Sequence, residues 1–212
     1  VSTDSLAIAI ANVAPTVTNL TGDSIGDEGD LLSWAVSATD PGADVLTYSW
    51  DFGDGSPAAI GTSTSHTYLD EGIYTLVGTV TDDDGGSGTE TLVIPVANVA
   101  PTALLAGDPS GVEGDLLSWN VVAGDAGVND TLSYAWDFGD GSTHASTQGL
   151  ATHVYEELGT YEAGVQVSND QGGADLARWT IHVNGYPHIS LAMPTTAKVS
   201  ELVTLDVSSS AD

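Results

Sequence analysis

The stretch Tyr-Ser-Trp-Asp-Phe-Gly-Asp-Gly at residues 48–55 occurs again as Tyr-Ala-Trp-Asp-Phe-Gly-Asp-Gly at residues 134–141. Tyr48, Trp50 and Phe52 alternate with small or polar residues, so the three rings share one face of a predicted strand. The Asp-Gly pair that follows is typical of a tight turn, because Gly tolerates positive φ and Asp accepts hydrogen bonds from nearby backbone. This much aromatic surface predicts a strand in the middle of a β-sandwich, where the rings are buried from water.

The repeated stretch divides the chain into two full and two partial repeats. Residues 12–97 and 98–183 each contain about seven short alternating segments separated by turn signals, which predicts antiparallel β-sandwiches arranged end to end. Residues 1–11 match the last strand of a preceding repeat, and residues 184–212 match the first strands of a following one. Further repeats of a longer chain, or strand sharing with another copy, are expected to complete these partial repeats.

The charge of the chain excludes some partners. Thirty Asp and Glu residues face two cationic side chains, Arg178 and Lys198, which gives a net charge of −28. Self-repulsion at this density has to be screened by salt or by bound cations. Phosphate backbones would be repelled, so nucleic acid is excluded as a partner. No apolar run approaches the roughly 18 residues of a membrane helix, so this segment is not expected to insert into a membrane.

Acidic and amide residues are expected to converge at one end of each sandwich. When strands alternate in direction, the start of the first strand, the loop after the second and the last hairpin lie at the same end. Ca²⁺ takes six to eight oxygen ligands from carboxylates, amides and carbonyls, so this cluster suits it. The alternative is that these are ordinary solvated loop residues. The predicted ligands are Asn12, Asp40, Asp44, Asp82, Asp83 and Asp84 in the first repeat, and Asn98, Asp125, Asp130, Asn169 and Asp170 in the second.

The opposite end of the first sandwich is also acidic. The turn at residues 22–30, Asp54 and the pair Asp70-Glu71 are expected to meet there. The spacing Asp70-x-Gly72-x-Tyr74 is typical of a tyrosine corner, in which the phenol donates a hydrogen bond to nearby backbone. Glu157-x-Gly159-x-Tyr161 repeats this spacing in the second repeat.

The remaining candidates for chemistry have structural interpretations. Trp34 and Trp119 alternate with aliphatic residues, which predicts burial, with a sugar-stacking platform as the alternative. His66 and His153 occupy equivalent positions and are predicted to be ordinary surface or edge residues. The sequence contains no His-Glu-x-x-His and no Gly-x-Ser-x-Gly, and nothing pairs a nucleophile with a base. The sequence therefore predicts a protein that is not an enzyme.

Three motifs together resemble the PKD (polycystic kidney disease) domain family over nearly the whole chain. They are Tyr-x-Trp-Asp-Phe-Gly-Asp-Gly, Gly-x-Tyr and the Val-Thr-Asp-Asp-Asp-Gly-Gly of residues 80–86. The resemblance implies an immunoglobulin-like sandwich, an exported location and a spacer or adhesive role in a large bacterial or archaeal protein. It also implies Ca²⁺ near the linker, as in some PKD-like domains of secreted proteases. The second repeat departs at residues 167–173, where Val-Ser-Asn-Asp-Gln-Gly-Gly has fewer carboxylates.

The favoured interpretation is a non-catalytic segment of an extracellular surface or secreted repeat protein, serving adhesion or display and stiffened by Ca²⁺ at inter-repeat junctions. A second interpretation is a subunit of a surface layer, sheath or filament, completed by head-to-tail strand sharing. A third is an ancillary carbohydrate-binding module of a secreted hydrolase, with surface glycans as partners. In each case, neighbouring repeats of the same or an identical chain are expected partners.

Overall fold

The computed structural model describes residues 10–42 and 44–186, which fall into two compact units. The first unit comprises the described residues up to Val99 together with Asp125–Asp130. The second comprises Ala100–Gly124 and the described residues from Thr131 onward. Apart from residues 10–11 and 184–186, the partial repeats predicted at 1–11 and 184–212 lie outside the described residues.

The first unit is a β-sandwich of a three-stranded and a five-stranded sheet. Its strands are β1 (Thr16–Gly22), β2 (Gly26–Asp27), β3 (Leu31–Thr39), β4 (Thr47–Asp51), β5 (Ala59–Ile60), β6 (Ser63–Thr67), β7 (Gly72–Thr81) and β8 (Ser87–Ala97). The sheet orders are β1-β3-β6 and β2-β8-β7-β4-β5. Most pairs are antiparallel, but β2 runs parallel to β8 because the chain changes sheets after β1.

The second unit repeats this arrangement. Its strands are β9 (Thr102–Gly107), β10 (Ser110–Val112), β11 (Leu116–Gly124), β12 (Ser133–Asp137), β13 (Thr143–Ser146), β14 (Leu150–Val154), β15 (Gly159–Ser168) and β16 (Ala174–Asn184). The sheets are ordered β14-β11-β9 and β10-β16-β15-β12-β13, with the short β10 parallel to β16. The predicted all-β fold of tandem immunoglobulin-like sandwiches is confirmed. No helix in the described ranges is long and apolar enough to cross a membrane.

The repeated aromatic strand lies in the core of each unit, as predicted. In the first unit, Trp50 is 1% exposed and Phe52 is 3% exposed. The alternation of Leu32, Trp34 and Val36 along β3 also puts these side chains inside. Trp34 and its equivalent Trp119 are buried, so neither can be a sugar-stacking platform.

Both predicted tyrosine corners are present. The Tyr74 hydroxyl donates to the Asp70 carbonyl at 3.0 Å, and the Tyr161 hydroxyl donates to the Glu157 carbonyl at 2.9 Å. Tyr74 also stacks on the buried Tyr68, whose hydroxyl donates to the Phe52 carbonyl at 2.9 Å. This network fixes the turn that precedes β7 and, with it, the backbone of Asp70.

Candidate functional site

The structure brings together four of the residues predicted as ligands in the first repeat. One carboxylate oxygen each from Asp40, Asp44 and Asp82 lies within 4.8 Å of the others, and we call these three residues the Asp82 group. Asn12 joins them because its side-chain nitrogen donates to Asp82 Oδ2 at 2.9 Å. The sheet topology explains this convergence, since Asn12 lies before β1, Asp40 and Asp44 lie in the loop after β3, and Asp82 lies in the hairpin between β7 and β8. Cation binding there stays a prediction.

Asp82 is the organising carboxylate of the group. It is 4% exposed, and its Oδ1 accepts hydrogen bonds from the backbone of Gly86 at 2.7 Å and of Asp84 at 3.1 Å. The hydrogen bond from Asn12 lowers the pKa of Asp82, and the backbone donors of the hairpin contribute to the same effect against burial. Asp82 is therefore a carboxylate at neutral pH, held in place by its own hairpin.

The neighbours of Asp82 carry charge that is less well compensated. Burial raises the pKa of Asp44, and the negative charges of Asp40 and Asp83 raise it further. Asp40 Oδ1 accepts from the backbone N–H of Gly42 at 2.7 Å, whereas its buried Oδ2 has no hydrogen-bond partner among the described residues. A hard cation would relieve this repulsion and use the free oxygen.

The other two predicted residues of the first repeat lie beside the Asp82 group rather than in it. Asp83 and Asp84 are both exposed. Asp83 Oδ1 accepts from the backbone N–H of Val45 at 3.3 Å, and so it links the hairpin to the start of the β4 segment. These two side chains add negative potential at this end of the sandwich.

In the second repeat, the hairpin keeps its hydrogen bond but loses a charge. Asn169 stands where the first repeat has Asp82, is 5% exposed, and accepts from the backbone N–H of Gly173 at 2.7 Å. Asp170 Oδ1 accepts from Thr131 at 3.0 Å. The remaining predicted residues of this repeat are half-buried: Asn98, Asp125, whose Oδ1 accepts from Gly127 at 3.3 Å, and Asp130.

Asp130 belongs to a second carboxylate group, within the first unit. One carboxylate oxygen from each of Glu28, Asp70, Glu71 and Asp130 lies within 4.8 Å of the others, and we call these four residues the Glu28 group. Sequence reasoning predicted that the acidic turn and Asp70-Glu71 would meet, but it did not propose them as ligands. A signal was available, since the sequence has no Lys or Arg before Arg178 that could neutralise them.

His66 and His153 lie on the edge strands β6 and β14, as predicted, but both are half-buried and each is paired with an aspartate. His66 Nε2 lies 2.7 Å from Asp54 Oδ2, and its ring stacks on Phe52 with centroids 4.0 Å apart. His153 repeats the arrangement, with Asp140 at 2.6 Å. The reason is register, because β6 pairs His66 with the inward-facing Leu32 and so directs the ring toward the aromatic strand. Both histidines are therefore structural partners of the repeated motif.

Asp140→Asn is expected to destabilise the second unit by about 1–2 kcal/mol at neutral pH, and by less in acid. Burial raises the pKa of Asp140, but hydrogen bonds from Ser142 and His153 outweigh it and lower the pKa to about 2. An unfolded Asp titrates near ~3.9, so the charged carboxylate contributes its full stability above that pH. The contribution is lost as the pH falls through the folded pKa of about 2.

Urea unfolding of the wild type and of Asp140→Asn at two pH values measures this effect. The difference in unfolding free energy should fall to about half when the pH is lowered from ~7 to ~3. Glu156→Gln, which removes one exposed carboxylate from the same unit, is the charge-matched control and should have little effect. If the difference in unfolding free energy between the wild type and Asp140→Asn does not change with pH, the lowered pKa of Asp140 is contradicted.

The repeated aromatic strand, the tyrosine corner and the His–Asp pair occur once in each unit and define a class of tandem immunoglobulin-like sandwich domains. The chain belongs to the PKD domain family, which matches residues 12–96 and again residues 98–183. The family resemblance inferred from the sequence is confirmed.

Several bacterial proteins are similar to parts of this chain. A microbial collagenase of Vibrio alginolyticus is 33% identical over 89 residues, which are 42% of this chain and 11% of that protein. The pre-pro-metalloprotease PrtV of Vibrio cholerae serotype O1 is 32% identical over 91 residues, which are 43% of this chain and 9% of that protein. The match thus spans about a tenth of the length of these curated relatives. Among solved structures, the PKD1 domain of Vibrio anguillarum Epp is 32% identical, with a TM-score of 0.35, and the match covers 41% of this chain and 98% of that domain.

Proposed function

We propose that this chain is a non-catalytic accessory segment of a larger extracellular protein, serving adhesion or display, and that Ca²⁺ stiffens the linkers between its repeats. Membership of the PKD domain family supports the accessory role. The similarity to secreted bacterial collagenases and proteases supports the extracellular location. It covers only a small part of those enzymes, so their activities are not part of the proposal.

The observation that carries the proposal is the Asp82 group next to Asn12. Asn12 begins the linker Asn-Val-Ala-Pro, and its amide nitrogen already donates to Asp82. Its amide oxygen is then the atom it can offer to a cation. A Ca²⁺ ion bound by this amide oxygen and three carboxylates would tie the linker to two loops of the sandwich. It would also replace the repulsion among Asp40, Asp44 and Asp82 with shared coordination.

Small-angle scattering of the chain with Ca²⁺ and after chelation tests the stiffening. Chelation should change the maximum dimension of the wild type, because the linker segment gains freedom when the ion leaves. Asp40→Asn/Asp44→Asn should show a smaller change on chelation than the wild type, because two ligand charges are removed from the Asp82 group. A maximum dimension of the wild type that does not respond to chelation would contradict Ca²⁺-dependent stiffness.

The two other interpretations stay predictions. A carbohydrate-binding module needs exposed aromatic platforms, and Trp34, Trp50, Trp119 and Trp136 are all buried. Retention of the chain on polysaccharide columns would favour the carbohydrate-binding interpretation. Strand sharing in an assembled layer or filament rests on residues 1–9 and 187–212, which lie outside the described residues. Concentration-dependent assembly in analytical ultracentrifugation would favour it.

A further inference from the structure

The Glu28 group draws its side chains from three segments of the first unit. Glu28 lies in the turn before β3, and Asp70 and Glu71 form the turn before β7. Asp130 ends the segment 125–130, which clusters with the first unit. Glu28, Asp70 and Glu71 are absent from the ligand sets predicted from the sequence, and the group shares no residue with the Asp82 group. It is therefore a separate concentration of negative charge.

Glu28 is the buried centre of this group. The residue is only 2% exposed, and its Oε1 accepts a hydrogen bond from the backbone N–H of Val99 at 2.8 Å. Its Oε2 is buried and has no hydrogen-bond partner among the described residues. A Cβ added to Gly127 would lie 2.7 Å from this Oε2 and 2.9 Å from Asp130 Oδ2. The unpartnered oxygen of Glu28 therefore faces the carboxylate of Asp130.

Two further carboxylate oxygens of the Glu28 group are, like Glu28 Oε2, buried without a hydrogen-bond partner among the described residues. Asp70 Oδ1 and Glu71 Oε2 are buried and lack a hydrogen-bond partner in the part of the chain that the structure describes. The other oxygen of Asp70 accepts from Asn129 Nδ2 at 2.7 Å, which orients this carboxylate. Glu28, Asp70 and Glu71 thus each present a buried oxygen that no donor within the described ranges satisfies.

No side chain in the unit can supply the missing positive charge. The sequence has no Lys or Arg before Arg178, and the one histidine of the first repeat, His66, is engaged with Asp54. Burial raises the pKa of Glu28, and the charges of Asp130, Asp125 and Glu71 raise it further against the hydrogen bond from Val99. Buried carboxylates are costly unless they are paired, protonated or bound to a metal. A proton or a cation from solution must therefore compensate this group.

We propose that Glu28, Asp70, Glu71 and Asp130 bind a Ca²⁺ ion. Ca²⁺ is a hard cation that accepts several carboxylates at about 2.3–2.6 Å, so ligands on opposite sides of it are about 5 Å apart. The spacing of up to 4.8 Å within the group agrees with this geometry. Mg²⁺ retains most of its water and fits a dehydrated, multi-carboxylate site less well. The bound ion ties the turn at 70–71 to the segment 125–130 through shared ligands.

The second repeat provides an internal comparison. Its residues equivalent to Glu28, Asp70 and Glu71 are Glu113, Glu157 and Leu158. Leu158 brings no ligand, Glu113 is half-buried and Glu157 is exposed. The equivalent residues of the second repeat therefore do not reproduce this ligand set, and Glu113→Gln/Glu157→Gln is a matched control with the same loss of charge.

Calorimetric titration of Ca²⁺ into the chelator-stripped, 212-residue chain at neutral pH tests the site. Glu28→Gln/Glu71→Gln should bind one Ca²⁺ fewer than the wild type, while Glu28→Gln keeps an oxygen that can accept from Val99. The control Glu113→Gln/Glu157→Gln should match the wild type. Unchanged stoichiometry and affinity in Glu28→Gln/Glu71→Gln would overturn the proposal. So would a wild type that binds no Ca²⁺, since protons would then neutralise the group.

The same titration separates this site from the proposed function, on which it does not rest. Asp40→Asn/Asp44→Asn should lose binding at the Asp82 group and keep the ion at the Glu28 group. Loss of all binding in that variant would overturn the present proposal and leave the Asp82 group as the binding site. The reverse pattern, with binding lost only in Glu28→Gln/Glu71→Gln, would support this site and reject the other.

Thermal unfolding shows whether the substitutions act through the ion. Without Ca²⁺, Glu28→Gln/Glu71→Gln should melt no lower than the wild type, because it removes repulsion between buried carboxylates. With Ca²⁺, its gain in melting temperature should be smaller than that of the wild type. If the double variant fails to fold, the single variant Glu71→Gln, at a half-buried position, replaces it. Glu71→Gln should lower the affinity of the chain for Ca²⁺ on the order of tenfold. Wild-type affinity in that variant would count against the site.

Discussion

Trp50→Ala should lower the stability of the first unit by about 3–5 kcal/mol and leave the second unit folded. Trp50 is 1% exposed and occupies the centre of the first core, so its removal leaves a cavity that the surrounding strands cannot fill. The residues of the second core form their own cluster around Trp136. Domain stabilities are typically ~5–15 kcal/mol, so a loss of this size displaces the unfolding transition of one unit strongly.

Denaturant unfolding followed by circular dichroism measures the loss of unfolding free energy, with Trp136→Ala as the matched variant of the second unit. The two substitutions should lower the unfolding free energy by slightly different amounts. The indole N–H of Trp50 donates to the Gly61 carbonyl at 2.8 Å, whereas the buried indole N–H of Trp136 has no partner among the described residues. Trp50→Ala should therefore cost about 1 kcal/mol more than Trp136→Ala. Simultaneous unfolding of both units in either variant would contradict two independent cores.

Gly53→Ala should destabilise the first unit by about 3 kcal/mol, because the new methyl group meets strain and a backbone clash together. Gly53 has a φ of +78°, which is unfavourable for a residue with a Cβ. A Cβ there would lie 2.6 Å from the Thr75 carbonyl oxygen and 3.0 Å from the Thr75 nitrogen. Neither backbone atom can move without disturbing β7.

Gly55 separates the two causes. Its φ is +81°, close to that of Gly53, but a Cβ added there would meet nothing within 4 Å. Gly55→Ala should therefore cost only the backbone strain, about 1–2 kcal/mol, and fall clearly below Gly53→Ala. The midpoints of thermal unfolding of the two variants give the comparison. Equal costs would show that the close approach to Thr75 has no energetic consequence.

Most of the fold could be predicted because it depends on local periodicity. The alternation of Leu32, Trp34 and Val36 already identifies a strand and its buried face, and the structure buries all three. The tyrosine corner was equally readable, because the hydroxyl of Tyr74 reaches a carbonyl only four residues away. The two short parallel pairs, β2 with β8 and β10 with β16, could not be predicted, since they depend on a change of sheet after the first strand of each unit.

The candidate sites were predictable only in part. The order of strands brings Asn12, Asp40 and Asp82 to one end of the sandwich, and this needs no more than a count of alternating strands. The partners of His66 depend on the register of β6 against β3, and one residue of slip would have turned the ring to solvent. The Glu28 group depends on segment 125–130 belonging to the first unit, a contact between residues far apart in the chain.

The sequence by itself determined two β-sandwiches with an aromatic strand in each core, because side-chain alternation and turn residues act over a few neighbours. It also determined that positive charge must come from solution, since the chain has two cationic side chains for thirty acids. Only the tertiary structure decided which acids are exposed and which, like Glu28, bury a carboxylate oxygen that no donor among the described residues satisfies. Burial depends on non-local packing, and it is burial that makes an uncompensated carboxylate costly enough to need a ligand.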